Sequence, residues 1–230
     1  LYKNDLMMLE LLANTNWERP VYIATSVGGG SQLGLSDYLI QEGLALRFTP
    51  FNWRKLGRIP KSAYGMPEYA IDSEKMYDNL MNKFKFGGID NPDIYLDETV
   101  MRMCYSHRRL FSQLAKQLMR EGQKEKALAV LDRAEQVIPS SVVPHNAIGS
   151  GSLEMAECYV RLGQKEKAAT ILAPLGDRAC DYIDWYMSGN DKNFKSHLSS
   201  IQYYEFPILQ EVVSLLDGTE LEETYRAKLE

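Results

Sequence analysis

The sequence predicts a mainly helical protein with a small α/β unit at its N-terminus. Three observations lead to this fold class. A short β-branched and aromatic run at 20–24 is typical of a strand, and the stretch at 44–49, which Pro50 follows, resembles a second strand. From Asp72 onward, apolar residues recur at helical spacing. Within that helical part, one hexapeptide occurs twice, which indicates an internal repeat.

The composition is that of an ordinary globular protein. The 230 residues are 45% hydrophobic and 25% charged, which is sufficient for a packed core. The formal net charge of -5 gives no attraction to a phosphate backbone, so we expect no nucleic-acid partner. The most apolar stretches, 6–13 and 208–216, are far shorter than the ~20 residues of a spanning helix, so this chain is not expected to cross a membrane. Because no leader-like segment stands at its start, we interpret it as a piece of a longer protein.

The α/β unit is predicted over residues 1–70. It begins with a helix over 4–14 that Asn4 or Asp5 would cap. The first strand, one or two helical turns at 36–41 and the second strand follow, and Pro50 ends the second strand. Residues 51–69 have no periodicity and collect Gly and Pro, which predicts a long loop.

The helical region is predicted over residues 71–230, and capping residues mark its helices. Asp72 precedes a helix that we expect to reach Phe84, and Asp97 precedes one that we expect to end near residue 121. Thr219 and Glu222 have the spacing of a capping box for a terminal helix.

The repeated hexapeptide, Gly-Gln-Lys-Glu-Lys-Ala, begins at Gly122 and again at Gly163, an offset of 41 residues (163 minus 122). Its surroundings resemble the tetratricopeptide family, whose period is about 34 residues, and the surplus fits a proline-containing connection at 140–147. The resemblance implies two helical hairpins, at about 100–139 and 146–180, in which small residues let antiparallel helices approach closely. Their packing residues would be Phe111, Leu114, Ala115, Leu118, Gly122, Ala127, Leu131, Ala134 and Pro139 in the first hairpin, and Ala156, Tyr159, Gly163, Ala168 and Leu172 in the second.

The second copy departs from the pattern after Leu172, where Pro174 is expected to interrupt the helix. Arrays of this kind need three or more units to bury a core, so other helices of the chain are expected to complete the packing. The alternative is an ordinary helical bundle that contains the hexapeptide by chance.

One stretch combines cations with aromatic rings and could bind a ligand. Its candidate residues are Arg47, Trp53, Arg54, Lys55, Arg58 and Lys61, and no acidic residue lies among them. Arginine beside aromatic rings can bind phosphorylated or sugar-bearing ligands, or an anionic membrane surface. Simple solvation of a loop is the alternative.

The remaining patterns predict neither a metal, nor a cofactor, nor a catalytic residue. The three cysteines and three histidines are isolated in the sequence, unlike the ligands of a zinc site. The glycines at 28–30 do not have the spacing of a phosphate-binding loop. Asp90, Asp93 and Asp97 lack the glycine and distal Glu of a calcium loop, and no Ser or Cys has the local signature of a nucleophile.

Three further stretches resemble one bacterial family. They are Asn-Trp-Glu-Arg-Pro-Val-Tyr-Ile-Ala at 16–24, Tyr-Leu-Ile-Gln-Glu-Gly-Leu-Ala-Leu-Arg at 38–47, and a segment from Met-Tyr-Asp-Asn-Leu-Met at 76–81 to Tyr-Leu-Asp-Glu at 95–98. They are similar to the soluble C-terminal region of multi-span membrane proteins of unassigned function, whose N-terminal part resembles GT-C type protein O-mannosyltransferases. The resemblance implies a place on the extracytoplasmic, periplasmic face of the inner membrane, with the catalytic groups outside this chain.

The leading hypothesis is therefore a non-catalytic interaction or scaffolding domain of a membrane glycosyltransferase-like protein. Its partner would be an acceptor protein or another protein, with an anionic lipid or a lipid-linked sugar as a further ligand. One alternative is a stand-alone enzyme that acts on carbohydrate or phosphate ligands through the Arg-aromatic stretch. Another is a structural spacer or oligomerisation module.

Overall fold

The computed structural model describes residues 2–59, 69–189 and 191–229. The chain divides into two compact units, Leu1–Lys85 and Phe86–Glu230. The first unit contains a small sheet, whereas the regular structure described in the second is helical. The predicted fold class, mainly helical with a small α/β unit at the N-terminus, is confirmed.

The first unit is built around a short sheet. Helix α1 (Lys3–Asn14) is followed by the strands β1 (Tyr22–Ala24), β2 (Leu39–Gln41), β3 (Ala45–Phe48) and β4 (Ala70–Ile71). In the described residues these strands have the order β1-β3-β2-β4; β3 is antiparallel to β1 and β2, and β4 is parallel to β2. Ile23, Leu39 and Leu46 form the buried core of this sheet.

Helix α2 (Ser73–Asp78) completes the first unit. The Asp72 carboxylate accepts a hydrogen bond from the backbone N–H of Lys75 at 3.1 Å, so the predicted cap is confirmed. The predicted helix to Phe84 is not regular throughout. The α-helix ends at Asp78, and a π-helical turn, Asn79–Lys83, follows it. This turn buries the side chain of Leu80, and such packing compensates for the weaker backbone geometry.

Two other local predictions for this unit need correction. Residues 39–41, expected in a helical turn, form strand β2, because β3 and β4 supply hydrogen-bonding partners on its two sides. Asp5 does not precede α1 but lies in its first turn, where its carboxylate accepts a hydrogen bond from the backbone N–H of Tyr2 at 2.8 Å.

The second unit consists of paired helices. They are α3 (Glu98–Arg120), α4 (Lys124–Val137), α5 (Ser152–Arg161), α6 (Lys165–Met187), α7 (Asp191–Ser200), α8 (Phe206–Leu215) and α9 (Glu220–Leu229). The Asp97 carboxylate caps α3 through the backbone N–H of Val100 at 2.8 Å, as predicted. Helix α3 packs against α4, α5 against α6, and α8 against α9.

Two expectations for this unit are wrong. Helix α6 is not interrupted at Pro174 but continues to Met187. Leu172 and Leu175 are buried on either side of the proline, so packing outweighs the lost backbone hydrogen bond. At the start of α9, Thr219 and Glu222 do not form a reciprocal capping box. The Glu222 carboxylate accepts from Gly218 N at 2.8 Å, and the Thr219 hydroxyl donates to a backbone carbonyl at 2.7 Å.

The first helices of the three pairs, α3, α5 and α8, form one layer, because α3 contacts α5 and α5 contacts α8. Each pair turns at a glycine of positive φ, which is 76° at Gly122, 75° at Gly163 and 77° at Gly218. The pair α8–α9 packs on the second hairpin in a different way from that in which the second packs on the first, because α8 contacts α6 more extensively than α5. It covers a face that two hairpins alone would leave open to solvent.

Candidate interaction surface

Both copies of the hexapeptide form the turn of a helical hairpin. Gly122 and Gly163 occupy the left-handed region of the backbone map, which side chains with a Cβ rarely adopt. The next N–H in each copy donates to the preceding helix at 2.9 Å, from Gln123 to Leu118 and from Gln164 to Tyr159. The identical backbone bonds indicate that the hexapeptide specifies this turn.

The predicted packing residues are used inside the hairpins. The buried ones are Phe111, Leu114, Ala115, Leu118, Ala127, Leu131 and Ala134 in the first hairpin, and Ala156, Tyr159, Ala168 and Leu172 in the second. Alanine leaves the room that close helix packing requires. Pro139 lies two residues after Val137, the end of α4, and its carbonyl accepts backbone hydrogen bonds from Val142 and Val143. The buried side chains among the predicted residues therefore serve packing within the hairpins.

A charged bridge connects the two hairpins. The Asp132 carboxylate of α4 accepts hydrogen bonds from the Tyr159 hydroxyl at 3.0 Å and from Lys167 Nζ at 2.6 Å. The Lys167 ammonium also lies 5.6 Å from the centre of the Tyr159 ring. Burial and the neighbouring Asp132 carboxylate raise the pKa of Tyr159, so its hydroxyl stays protonated and can donate. The bridge holds α4, α5 and α6 together.

Sequence reasoning missed Arg108 of α3, whose side chain is completely buried. Its Nη2 donates to the carbonyls of Ile138 at 2.9 Å and Val143 at 2.6 Å, and its Nη1 donates to that of Pro144 at 3.2 Å. Burial lowers the pKa of Arg108, and the Glu135 carboxylate opposes that shift. Arg108 thus closes the connection between α4 and α5, the segment that lengthens the repeat. The sequence contained one signal for this buried residue, because Arg108 stands at a position of the helical pattern that apolar residues otherwise occupy.

A serine, a histidine and a carboxylate meet at the start of α5. The Ser152 hydroxyl lies 3.1 Å from His145 Nδ1, and His145 Nε2 lies 3.6 Å from Glu135 Oε2. A serine beside a histidine that in turn contacts a carboxylate is the arrangement of a nucleophile and its base. The Ser152 side chain, however, is fully buried. The Ser150 hydroxyl, which lies 2.7 Å from that of Ser152, also accepts the Ser152 N–H. We therefore interpret the group as the cap that anchors α5.

The structure places the Arg-aromatic residues in two different settings. Arg47, in β3, pairs with Glu42 and lies 3.7 Å from Asp72, and Arg54 Nε lies 2.8 Å from the Asp37 carboxylate. Both cations are therefore paired with acids outside the Arg-aromatic stretch, which lie five residues before Arg47 and 17 residues before Arg54. The other described members lie in one turn, where Lys55 and Arg58 are exposed and Trp53 is half-buried. Lys61 lies outside the described residues.

A second network missed by sequence reasoning surrounds the buried carboxylate of Glu42. It accepts hydrogen bonds from Lys75 Nζ at 2.7 Å, from the Tyr22 hydroxyl at 3.0 Å and from Arg47. Burial alone would raise the pKa of Glu42, but these hydrogen bonds outweigh it and hold the pKa below its usual value. The Asn79 side chain donates to the Glu42 carbonyl at 2.6 Å. The network joins strand β1, the β2–β3 turn and helix α2.

The residues that could ligate metals remain separate. Within residues 2–59, 69–189 and 191–229, no three His, Cys, Asp or Glu side chains are arranged to hold a metal ion. Burial raises the pKa of the Cys158 thiol to about 12, so this cysteine is not a reactive thiolate.

The outer face of the layer α3–α5–α8 is the surface that a partner could reach. Lys116 of α3 pairs with Glu157 of α5 at 3.0 Å, and Glu157 pairs with Arg161 at 2.7 Å. Met103 of α3 exposes 55% of its surface. The ion pairs around Glu157 span the junction of the first two hairpins, whereas Met103, 13 residues before Lys116, lies on a different side of α3.

Comparison with known proteins gives a partial match. Residues 1–64 match the family model described as TMEM260-associated domain 2. Neither the curated proteins nor the solved structures yield a match. The matched segment contains α1 and the strands β1 to β3, and the helical hairpins lie beyond it. In the part of the chain that the structure describes, no helix combines the length and the apolar character needed to span a bilayer.

Proposed function

We propose that this chain is a non-catalytic, extracytoplasmic interaction domain of a membrane glycosyltransferase-like protein. Its stacked hairpins, which we interpret as tetratricopeptide-like, would bind an acceptor or partner protein on the layer α3–α5–α8. The observation that carries the proposal is the stack itself, in which the repeat residues are used for packing and an outer helix face stays accessible. Stacked helical hairpins commonly serve as extended binding surfaces.

The placement beside a membrane is supported by the N-terminal unit. The stretches at 16–24 and 38–47, which resemble the C-terminal region of O-mannosyltransferase-like membrane proteins, both lie within the segment that matches TMEM260-associated domain 2. On this basis we propose the periplasmic face of the inner membrane as its location, with the membrane spans and the sugar-transfer site in other parts of the protein.

The stand-alone enzyme is the weaker proposal. Ser152, the serine that lies beside a histidine and a carboxylate together, is buried, and the two arginines best suited to an anionic substrate, Arg47 and Arg54, already pair with carboxylates. Turnover of an activated sugar by this chain alone would contradict the non-catalytic proposal.

Photocrosslinking in the native membrane tests the binding surface directly. A photoreactive residue in place of Arg120, one turn beyond Lys116 on α3, is expected to capture a partner, whereas one in place of the exposed Gln136 on α4 is not. Reversing two charges of the outer face, Lys116→Glu with Arg161→Glu, should reduce capture about tenfold, because mismatched charges at an interface disfavour a partner.

The matched control reverses two exposed lysines elsewhere in the second unit, Lys124→Glu with Lys192→Glu. This pair changes the net charge by the same amount and is expected to leave capture unchanged. Equal loss in both double variants, or equal capture from positions 120 and 136, would contradict the proposed surface.

A further inference from the structure

The turn at residues 51–58 of the first unit exposes apolar and cationic side chains together. Phe51 and Leu56 expose 57% and 59% of their surfaces, and Lys55 and Arg58 are exposed between and beside them. No acidic residue occurs in this segment. A surface of this composition matches the boundary between lipid headgroups and acyl chains.

Hydrogen bonds within the turn, and from the turn to Asp37 and Thr49, hold this arrangement. The Trp53 N–H donates to the carbonyl of Asp37 at 2.8 Å, and the Arg58 N–H donates back to Trp53 at 2.9 Å. The Trp53 indole N–H donates to the Thr49 hydroxyl at 2.8 Å, and the Asn52 side chain accepts the Lys55 N–H at 2.9 Å. The exposed side chains are therefore presented by an ordered backbone, which lowers the entropic cost of binding.

From these observations we propose that the turn at 51–58 docks on the surface of an anionic lipid bilayer. Phe51 and Leu56 enter the interfacial region, while Lys55 and Arg58 lie at the phosphate groups, where their long stems reach past the apolar tips. The Trp53 ring adds the amphipathic character that aromatic residues show at this depth.

Charge complementarity favours a lipid surface over a small phosphorylated ligand. Arg54 is already paired with Asp37 at 2.8 Å and Arg47 with Glu42, so these arginines are not available to converge on a single phosphate. Lys55 and Arg58 instead stand beside exposed apolar side chains, and a bilayer satisfies both groups at once. The proposal concerns the first unit alone and does not require the hairpins to bind a protein.

Trp53 provides a reporter inside the turn. In a Trp17→Phe, Trp185→Phe background it is the single tryptophan, and its emission is expected to shift to shorter wavelength with vesicles of about 30% phosphatidylglycerol in phosphatidylcholine. Pure phosphatidylcholine vesicles should bind about tenfold more weakly, and added salt should weaken binding to the anionic vesicles. Millimolar inorganic phosphate should leave the emission unchanged.

Two double variants separate the roles of charge and apolar contact. Lys55→Glu with Arg58→Glu should reduce cosedimentation with anionic vesicles about tenfold or more, and Phe51→Ser with Leu56→Ser should abolish the emission shift. Lys124→Glu with Lys192→Glu in the second unit is the charge-matched control and should bind like the parent. Circular dichroism establishes that each variant is folded.

The proposal is overturned if the parent does not bind anionic vesicles, or if the Lys55 and Arg58 double variant binds as the parent does. A shift of Trp53 emission by inorganic phosphate alone would also overturn it, because the turn would then be a small-anion site. If the control variant lost vesicle binding to the same extent, the loss would be explained by net charge alone. That result would also exclude a specific docking surface at the turn.

Discussion

The two hairpins contain the same hexapeptide and the same kind of turn, yet their second helices differ. In the first hairpin, α4 ends at Val137 and a buried arginine closes the connection that comes next. In the second, α6 passes Pro174 and continues to Met187. Its added length carries Gly176, against which Tyr225 of α9 packs. The comparison shows that the hexapeptide specifies the turn, whereas neighbouring segments decide how far the second helix extends.

The largest expected effect comes from the first hairpin. Arg108→Ala would leave the carbonyls of Ile138, Val143 and Pro144 without their donor and would open a cavity, so we expect the free energy of unfolding to fall by about 3–5 kcal/mol. Urea denaturation measures this loss. As a control, Arg102→Ala removes an exposed ion pair to Glu98 and should cost below about 0.5 kcal/mol. A similar small cost for both would show that Arg108 does not hold the connection.

The next effect concerns the second hairpin. In Gly176→Ala the new Cβ would lie 2.7 Å from Tyr225 Cε1, so the Tyr225 ring or the helix that carries it must shift. Overpacking costs about 1–3 kcal/mol, and the better helix propensity of alanine offsets about 1 kcal/mol of that. A double-mutant cycle with Tyr225→Ala should show coupling above about 0.5 kcal/mol, because that truncation removes the clash. Strict additivity would mean that Tyr225 does not pack on this glycine.

The smallest expected effect is the difference between the two hairpin turns, whose alanine variants should lose the same stability. A Cβ at Gly122 or Gly163 would meet no atom within 4 Å, so alanine there costs only the left-handed backbone conformation, about 1–2 kcal/mol at each site. Thermal or urea unfolding of the two single variants provides the comparison. A difference above about 0.5 kcal/mol between them would show that the turns are not equivalent, despite their identical hexapeptides.

The candidate surfaces were predictable only in part. The cations of the turn at 51–58 are visible in the sequence, because they stand together without an acid. The pairing of Arg54 with Asp37 is not visible, because the backbone brings together residues that are 17 positions apart. The pairing of Arg47 with Glu42 spans only five residues but depends on the antiparallel arrangement of β2 and β3. The same is true of the Lys116–Glu157 pair, which depends on the packing of α3 against α5.

By itself, the sequence determined the features that depend on neighbouring residues. It specified the fold class, the caps at Asp72 and Asp97 and the two glycine turns, because cap hydrogen bonds and backbone conformation involve only a few adjacent residues. The tertiary structure alone decided that α6 continues through Pro174, since burial on both sides of the proline outweighs a local preference. It also decided that Arg108 lies inside the protein, because the carbonyls that receive its hydrogen bonds come from a segment some 30 residues away.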